Sequence, residues 1–83
     1  MNMQNNIKVL SANCQGLRNY DKRHDILTHF KDMGANILCL QDTHLLKSDI
    51  PALKRLWKGE IFISGSRTNA RGVVVLLNDN FEY

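Results

Sequence analysis

The sequence has few cysteines and lacks the long apolar segments that are typical of secreted or membrane proteins. Its 83 residues include two cysteines, Cys14 and Cys39, and one proline. Two widely spaced cysteines cannot form the disulfide framework of a small secreted domain, so we expect buried free thiols in a reducing compartment. Positions 1–6 lack the apolar core of a signal peptide, and no apolar run approaches the roughly 20 residues of a membrane span. We expect an intracellular protein, nuclear or cytoplasmic, that has no membrane partner.

The overall composition is that of an ordinary globular protein. Hydrophobic residues make up 43% of the chain and charged residues 23%, which argues against intrinsic disorder. A chain of this length buries only about 60% of its unfolded surface, so its stability in isolation is expected to be marginal. The formal net charge of +3 is compatible with a polyanionic partner.

The first half of the chain predicts a strand, a helix and a second strand. Positions 7–12 read as the first strand, Asp21 as the N-cap of the helix, Gly34 as its stop and Ile37–Gln41 as the second strand, buried on both faces. The apolar face of the helix is formed by Ile26, Leu27, Phe30 and Met33. A strand, crossover helix and strand in this order predict a parallel, right-handed βαβ unit.

The second half predicts a short helix and two further strands. The helix is expected at about 49–57 with Trp57 turned inward, and the strands at 60–64 and 72–77, separated by a polar loop and followed by a turn at 78–80. The unbroken apolar run in the last strand calls for cover on both faces, and the upstream elements can cover one at best. The pattern therefore predicts a second layer that these residues do not supply.

Polar clusters follow both strands of the predicted parallel pair. The first is Asn13–Gly16 and the second is Gln41–His44. Ligands of open α/β sheets bind beyond the carboxyl ends of parallel strands. A carboxylate beside a carboxamide offers the hard oxygen ligands that suit Mg²⁺. The alternative is that Asn13 and Asp42 only cap their turns, and spacing alone leaves both interpretations open.

Three segments resemble the endonuclease/exonuclease/phosphatase family, which has the DNase I-like fold. Lys8–Arg18 resembles its opening strand and asparagine turn, and Ile37–Leu45 its second signature, which usually reads Gln-Glu-Thr. Gly72–Leu76 resembles a later glycine-plus-apolar strand. All three occur in the family's order and spacing. The Thr-His-Leu that follows the acidic residue is most similar to endonucleases of non-LTR (LINE-type) retrotransposons.

The resemblance implies a fold and an activity for the chain. The fold class is α/β (α+β), and residues 1–83 would be the incomplete N-terminal part of a two-layer β-sandwich flanked by helices. The complete enzyme would nick DNA with Mg²⁺ or Mn²⁺ to prime reverse transcription, so DNA is the expected partner. The alternatives are a phosphatase of the same family, a catalytically dead remnant and a small basic binding module.

The sequence also contains a basic patch, which is formed by Lys54, Arg55 and Lys58. This patch would be either a nucleic-acid contact or a solvated helix face.

The resemblance also assigns roles to individual positions. Asn13 matches the active-site asparagine that helps to bind metal or phosphate, and Asp42 matches the acidic metal ligand, which is normally glutamate. Gln41 matches a neighbouring support residue. Gln15 stands where apurinic-site repair enzymes carry an acid, which disfavours a repair function. His44 follows the metal ligand closely enough to approach a substrate, although a loop role is the alternative.

The family's remaining catalytic residues have no counterpart in this sequence. The resemblance implies a tyrosine, an Asp-X-Asn pair and a Ser-Asp-His triplet further along the chain, and these supply the acid–base chemistry. We therefore expect the 83-residue chain to be inactive alone, and the reading frame to have continued into these motifs.

Overall fold

The structure is a computed structural model that describes residues 7–64 and 72–79. Seven elements follow one another within these two ranges: strand β1 (Val9–Asn13), helix α1 (Tyr20–Asp32), strand β2 (Ile37–Gln41), a 3-10 helix (Lys47–Asp49), helix α2 (Ile50–Lys54), strand β3 (Gly59–Ser64) and strand β4 (Val73–Asn78). The predicted loop at 65–71 and the segment 80–83 lie outside the described residues. Neither α1 nor α2 is long and apolar enough to cross a membrane.

The four strands form one mixed sheet in the order β1-β2-β4-β3. β1 and β2 run parallel with Asn13 opposite Gln41, and α1 connects them. The predicted parallel βαβ unit is therefore confirmed. β4 inserts between β2 and β3 and is antiparallel to both. The architecture is mixed α+β, with a four-stranded sheet and two helices.

Helix α1 begins at a different residue from the one predicted. Asn19 is the N-cap, and its Oδ1 accepts a hydrogen bond of 2.9 Å from the backbone N–H of Lys22. Asp21, which we expected to be the cap, instead lies in the first turn, where a negative charge interacts favourably with the helix dipole. Gly34, with φ of 81°, follows the helix end as predicted.

The buried face of α1 is narrower than its apolar pattern suggests. Leu27 is fully buried, and Ile26 and Phe30 are partly buried against the core. Met33, predicted on the same face, is 42% exposed because it is the C-cap, where the chain leaves the helix. Arg23 is buried instead, and its Nη1 donates a hydrogen bond of 3.3 Å to the carbonyl of Leu17.

Helix α2 is shorter than the predicted 49–57, but its inward residues are correct. Leu53 and Trp57 are buried, and the indole Nε1 of Trp57 donates a hydrogen bond of 3.0 Å to the carbonyl of Leu77. Trp57 lies beyond the helix, in the connection to β3. The hydrogen bond joins this connection to β4 and satisfies the buried indole N–H.

The sheet has one covered and one open face. The covered face is apolar. Its buried residues are Leu38, Leu40, Ile61, Ile63, Val74 and Leu76, and Leu10 and Ala12 of β1 pack partly buried beside them. On the open face Val9, Phe62 and Val73 are 56%, 53% and 42% exposed. Cys39 also lies on this face and is only partly buried, so the expected burial of both thiols is wrong for this residue. Burial of β2 on both faces is likewise not observed among the described residues.

We predict that the two faces of β4 differ in their contribution to stability. Leu76→Ala should cost about 2–5 kcal/mol, because Leu76 is fully buried and its truncation leaves a cavity. Val73→Ala, in the same strand but 42% exposed, should cost less than about 1 kcal/mol. Urea unfolding at submicromolar concentration, followed by the fluorescence of Trp57, measures both values. Equal losses would contradict the assignment of the two faces.

Candidate functional site

The loops that follow β1 and β2 are held side by side by backbone hydrogen bonds. Three N–H groups of the first loop donate to three carbonyls of the second, at 2.7–2.8 Å. The donor and acceptor pairs are Cys14 with Gln41, Gly16 with Asp42, and Leu17 with Thr43. The two polar clusters that the sequence predicts to meet are therefore brought together at the carboxyl edge of the parallel pair. We call this edge the two-loop site.

The second loop is also anchored to the residue that precedes β4. Both the backbone N–H and the hydroxyl of Thr43 donate to the carbonyl of Gly72, at 3.0 and 3.2 Å. The same hydroxyl accepts a hydrogen bond of 3.2 Å from the N–H of Leu45. Thr43 is fully buried, so all of its polar atoms depend on these partners. Thr43 therefore fixes the position of its neighbours Asp42 and His44.

Backbone strain is concentrated in the two-loop site. Gln15, Asp42 and His44 have φ values of 52°, 54° and 60°, and no other non-glycine residue of the described chain has a positive φ. Each such residue costs on the order of 1–3 kcal/mol and persists only where surrounding contacts enforce it. The hydrogen bonds of Gly16, Thr43 and Gly72 provide that enforcement.

Asp42 carries an oxygen that lacks a hydrogen-bond donor. Its Oδ1 lies 3.0 Å from Nε2 of His44, but the orientation of the two groups does not form a hydrogen bond. This Oδ1 is buried and has no hydrogen-bond partner among the described residues. The side chain as a whole is 22% exposed, so the carboxylate remains accessible from one side. Burial of a charged oxygen without a donor costs free energy, and a cation in contact with that oxygen would offset the cost.

Asn13 and Gln41 sit opposite each other at the ends of the parallel strands but differ in their contacts. The amide Nε2 of Gln41 donates to the hydroxyl of Ser11 at 2.8 Å and to the carbonyl of Cys39 at 3.4 Å. The contact with Ser11 ties β2 to β1, whereas the contact with Cys39 lies within β2. Asn13 is exposed, and its side chain makes no hydrogen bond within the described part of the chain. Its amide oxygen is thus available at the rim of the site.

Two positively charged side chains, to which the sequence reasoning assigned no role, brace the loops. The ammonium group of Lys22 donates to the carbonyls of Cys14 and Gln15, at 2.7 and 3.3 Å. The Nε of Arg18 donates to the carbonyl of His44 at 3.1 Å. Both residues are exposed, so their charges also make the rim of the site attractive to anions. Helical spacing could have predicted that Lys22 lies in the first turn of α1. It could not have predicted that the side chain reaches back to the loop after β1.

The environment of the Cys14 thiol disfavours its thiolate form. Burial raises the pKa of Cys14 above its ordinary value, the Lys22 ammonium lowers it, and the Asp42 carboxylate adds a smaller upward contribution. The thiolate is the form that attacks and that binds metals, so a raised pKa keeps this sulfur inert. Cys14 packs in the core beside the loop.

The donor set of the site suits a cation that needs few protein ligands. Within residues 7–64 and 72–79, no group of three His, Cys, Asp or Glu side chains could share a metal ion. This excludes, for these residues, the closed sites that bind structural zinc. Mg²⁺ is held by one or two carboxylates and keeps positions for water and phosphate, so Asp42, with its unsatisfied Oδ1, fits such an ion.

The chain is similar to part of a curated transposon protein. No family model matches the chain. Over 76 residues, 92% of its length, the chain is 26% identical to the transposon TX1 uncharacterized 149 kDa protein of Xenopus laevis. The matched region is 6% of that protein, so the chain spans only a small part of its relative. The chain is thus similar, over nearly all of its length, to part of a transposon protein.

We predict that Gly72→Ala destabilises the protein more than Gly34→Ala. Both glycines have a positive φ, 76° and 81°, so each substitution carries the backbone penalty of roughly 1–2 kcal/mol. A Cβ at Gly34 meets no atom within 4 Å, whereas a Cβ at Gly72 would lie 2.9 Å from the Thr43 hydroxyl oxygen. Gly72→Ala should therefore cost a further 1–3 kcal/mol or so.

Urea unfolding followed by Trp57 fluorescence compares the two variants. Two-dimensional amide NMR should also show shifts at Thr43 and His44 in Gly72→Ala but not in Gly34→Ala. Equal destabilisation and unperturbed loop signals would mean that Gly72 does not hold the second loop.

Proposed function

We propose that this chain is the N-terminal part of a retrotransposon endonuclease that cleaves DNA phosphodiester bonds with Mg²⁺. The observation that carries the proposal is the buried Oδ1 of Asp42, which lacks a hydrogen-bond donor at the carboxyl edge of a parallel strand pair. The similarity to a transposon protein supports the same source. The three sequence segments that resemble the endonuclease/exonuclease/phosphatase family supply the reaction type.

In this proposal Asp42 is the residue that holds the metal ion. When bound, the ion would polarise a phosphoryl oxygen and offset the charge that builds up on it during attack. Asn13 would bind a phosphate oxygen or complete the ligand set through its exposed amide. Because aspartate is one methylene shorter than the usual glutamate, its loop must approach more closely or a water must bridge. The positive φ of Asp42 changes the direction in which its side chain leaves the backbone.

The positively charged residues around the site would assist substrate binding. Lys22 and Arg18 hold the two loops through carbonyl contacts and leave positive charge at the rim. Phosphate contacts of this kind position a nucleic acid without reading its sequence. Gln41 keeps β1 and β2 in register through Ser11, so it acts as a positioning residue.

In the complete protein, further residues would cover the open face of the sheet. The open face of the sheet exposes Val9, Phe62 and Val73, an apolar surface that requires cover. A second sheet packed face to face would give the two-layer β-sandwich of the DNase I-like fold. The groups that activate water and protonate the leaving oxygen would come from the same additional residues.

We predict that Asp42→Ala lowers Mg²⁺-dependent plasmid nicking by the protein of the complete reading frame by at least on the order of 100-fold. Loss of a metal ligand removes several kcal/mol of transition-state stabilisation, and each 1.4 kcal/mol or so is a factor of ten in rate. Asp42→Glu should retain activity within about tenfold, since it keeps the carboxylate. The 83-residue chain alone should not nick at all.

Asp25→Ala is the matched control, since its carboxylate is 84% exposed on α1 and lies outside the two loops. Parental activity in Asp42→Ala would refute the metal assignment. Phosphate release from soluble phosphomonoesters without nicking would establish the phosphatase instead. A complete-frame protein without any hydrolytic activity would establish the dead remnant.

A further inference from the structure

A groove lies at the opposite end of the sheet from the two-loop site. It has a volume of about 510 Å³ and is formed where α1 ends, where α2 runs into β3 and where β4 ends. Trp57 is among the residues that line the groove. Four positively charged residues also line it: Lys31, Lys54, Arg55 and Lys58. We call this feature the basic groove.

The basic groove accounts for the charge imbalance of the whole chain. Its four cations face a single carboxylate, Asp79, which leaves a formal charge of three positive. The net charge of the complete 83-residue sequence is also +3. The formal charges of the remaining residues therefore balance, and the four cations of the groove lie together at one end of the sheet.

Most of these cations have no internal counter-charge. Lys31, Arg55 and Lys58 form no ion pair within residues 7–64 and 72–79, since the pairs found there join His24 to Asp25 and His44 to Asp42. The ammonium group of Lys54 is held at the rim by a hydrogen bond of 3.1 Å to the carbonyl of Gly59. Gathered like charges repel one another, and an anion in the groove would relieve that repulsion.

The basic groove is separate from the two-loop site. Ala35 and Asn36, at the start of β2, line the groove, whereas Asp42 follows the end of the same strand. Six residues of extended chain place the two features roughly 20 Å apart. An anion in the groove would therefore not contact Asp42, and a phosphate at the two-loop site would not contact Lys58.

We propose that the basic groove binds the phosphate backbone of a nucleic acid. Its cations come from two separate segments, the end of α1 and residues 54–58, so they offer several positive charges along a cleft rather than one convergent pocket. That distribution matches a chain of phosphates better than a single small anion. The contact would be independent of base sequence and strongly dependent on salt. It does not require that the two-loop site be catalytic.

Trp57 gives a local probe of this groove, because it is among the residues that line the groove and is the protein's single tryptophan. Titration of the 83-residue chain with a single-stranded 12-mer should change its fluorescence, and added salt should reverse the change. In Arg55→Gln/Lys58→Gln the slope of log affinity against log salt concentration should shrink by about 1.4, the expectation for two lost phosphate contacts at about 0.7 each. Inorganic phosphate at the same phosphate concentration should produce no change.

Lys47→Glu is the matched control, because it removes the same two units of charge at an exposed residue outside the groove. It should keep both the fluorescence change and the salt slope. A slope that falls equally in both variants would show a response to net charge alone and would overturn the proposal. Binding without any change in Trp57 fluorescence, or an equal response to inorganic phosphate, would overturn it as well.

Discussion

The hydrogen bonds between the loops after β1 and β2 are the interaction on which the two-loop site depends. The parallel ladder does not stop at Asn13 and Gln41 but continues through Cys14 and Gly16 to the carbonyls of the second loop. Parallel strands alone would bring the two loops near each other. The continued ladder fixes their separation, and it requires the turn conformations that place Gln15 and Asp42 at positive φ.

Contacts elsewhere in the fold stabilise the strained backbone of the two-loop site. On the covered face of the sheet the side chains of β2 and β4 are buried side by side, and Gly72, which precedes β4, accepts two hydrogen bonds from Thr43. Strain of a few kcal/mol in a loop persists only when such contacts over-determine it. The result is a carboxylate oxygen on Asp42 that is buried, lies 3.0 Å from Nε2 of His44 and has no hydrogen-bond donor among the described residues.

The sequence predicted the four strands, the two helices and the parallel pairing of β1 with β2, because these follow from local periodicity. It did not predict that β4 inserts between β2 and β3, antiparallel to both. Strand β2, the parallel βαβ unit and the inward direction of Trp57 all rest on spacing and apolar character. Competing local signals caused the errors: Asn19 is as good a cap as Asp21, and Met33 continues an apolar pattern past the end of the helix. The long-range side-chain contacts could not be predicted from residue spacing. Examples are the hydrogen bond from Lys22 to the carbonyl of Cys14 and the close approach of Gly72 to Thr43.

Paramagnetic Mn²⁺ tests most directly whether Asp42 binds a divalent cation beside Asn13. Amide NMR of the 83-residue chain, titrated with Mn²⁺, should show broadening that is strongest at residues 13–16 and 42–44 and spares the basic groove. Asp42→Ala should abolish this pattern, while Asp25→Ala should leave it unchanged. Broadening that centres on other carboxylates, or that survives Asp42→Ala, would contradict the account.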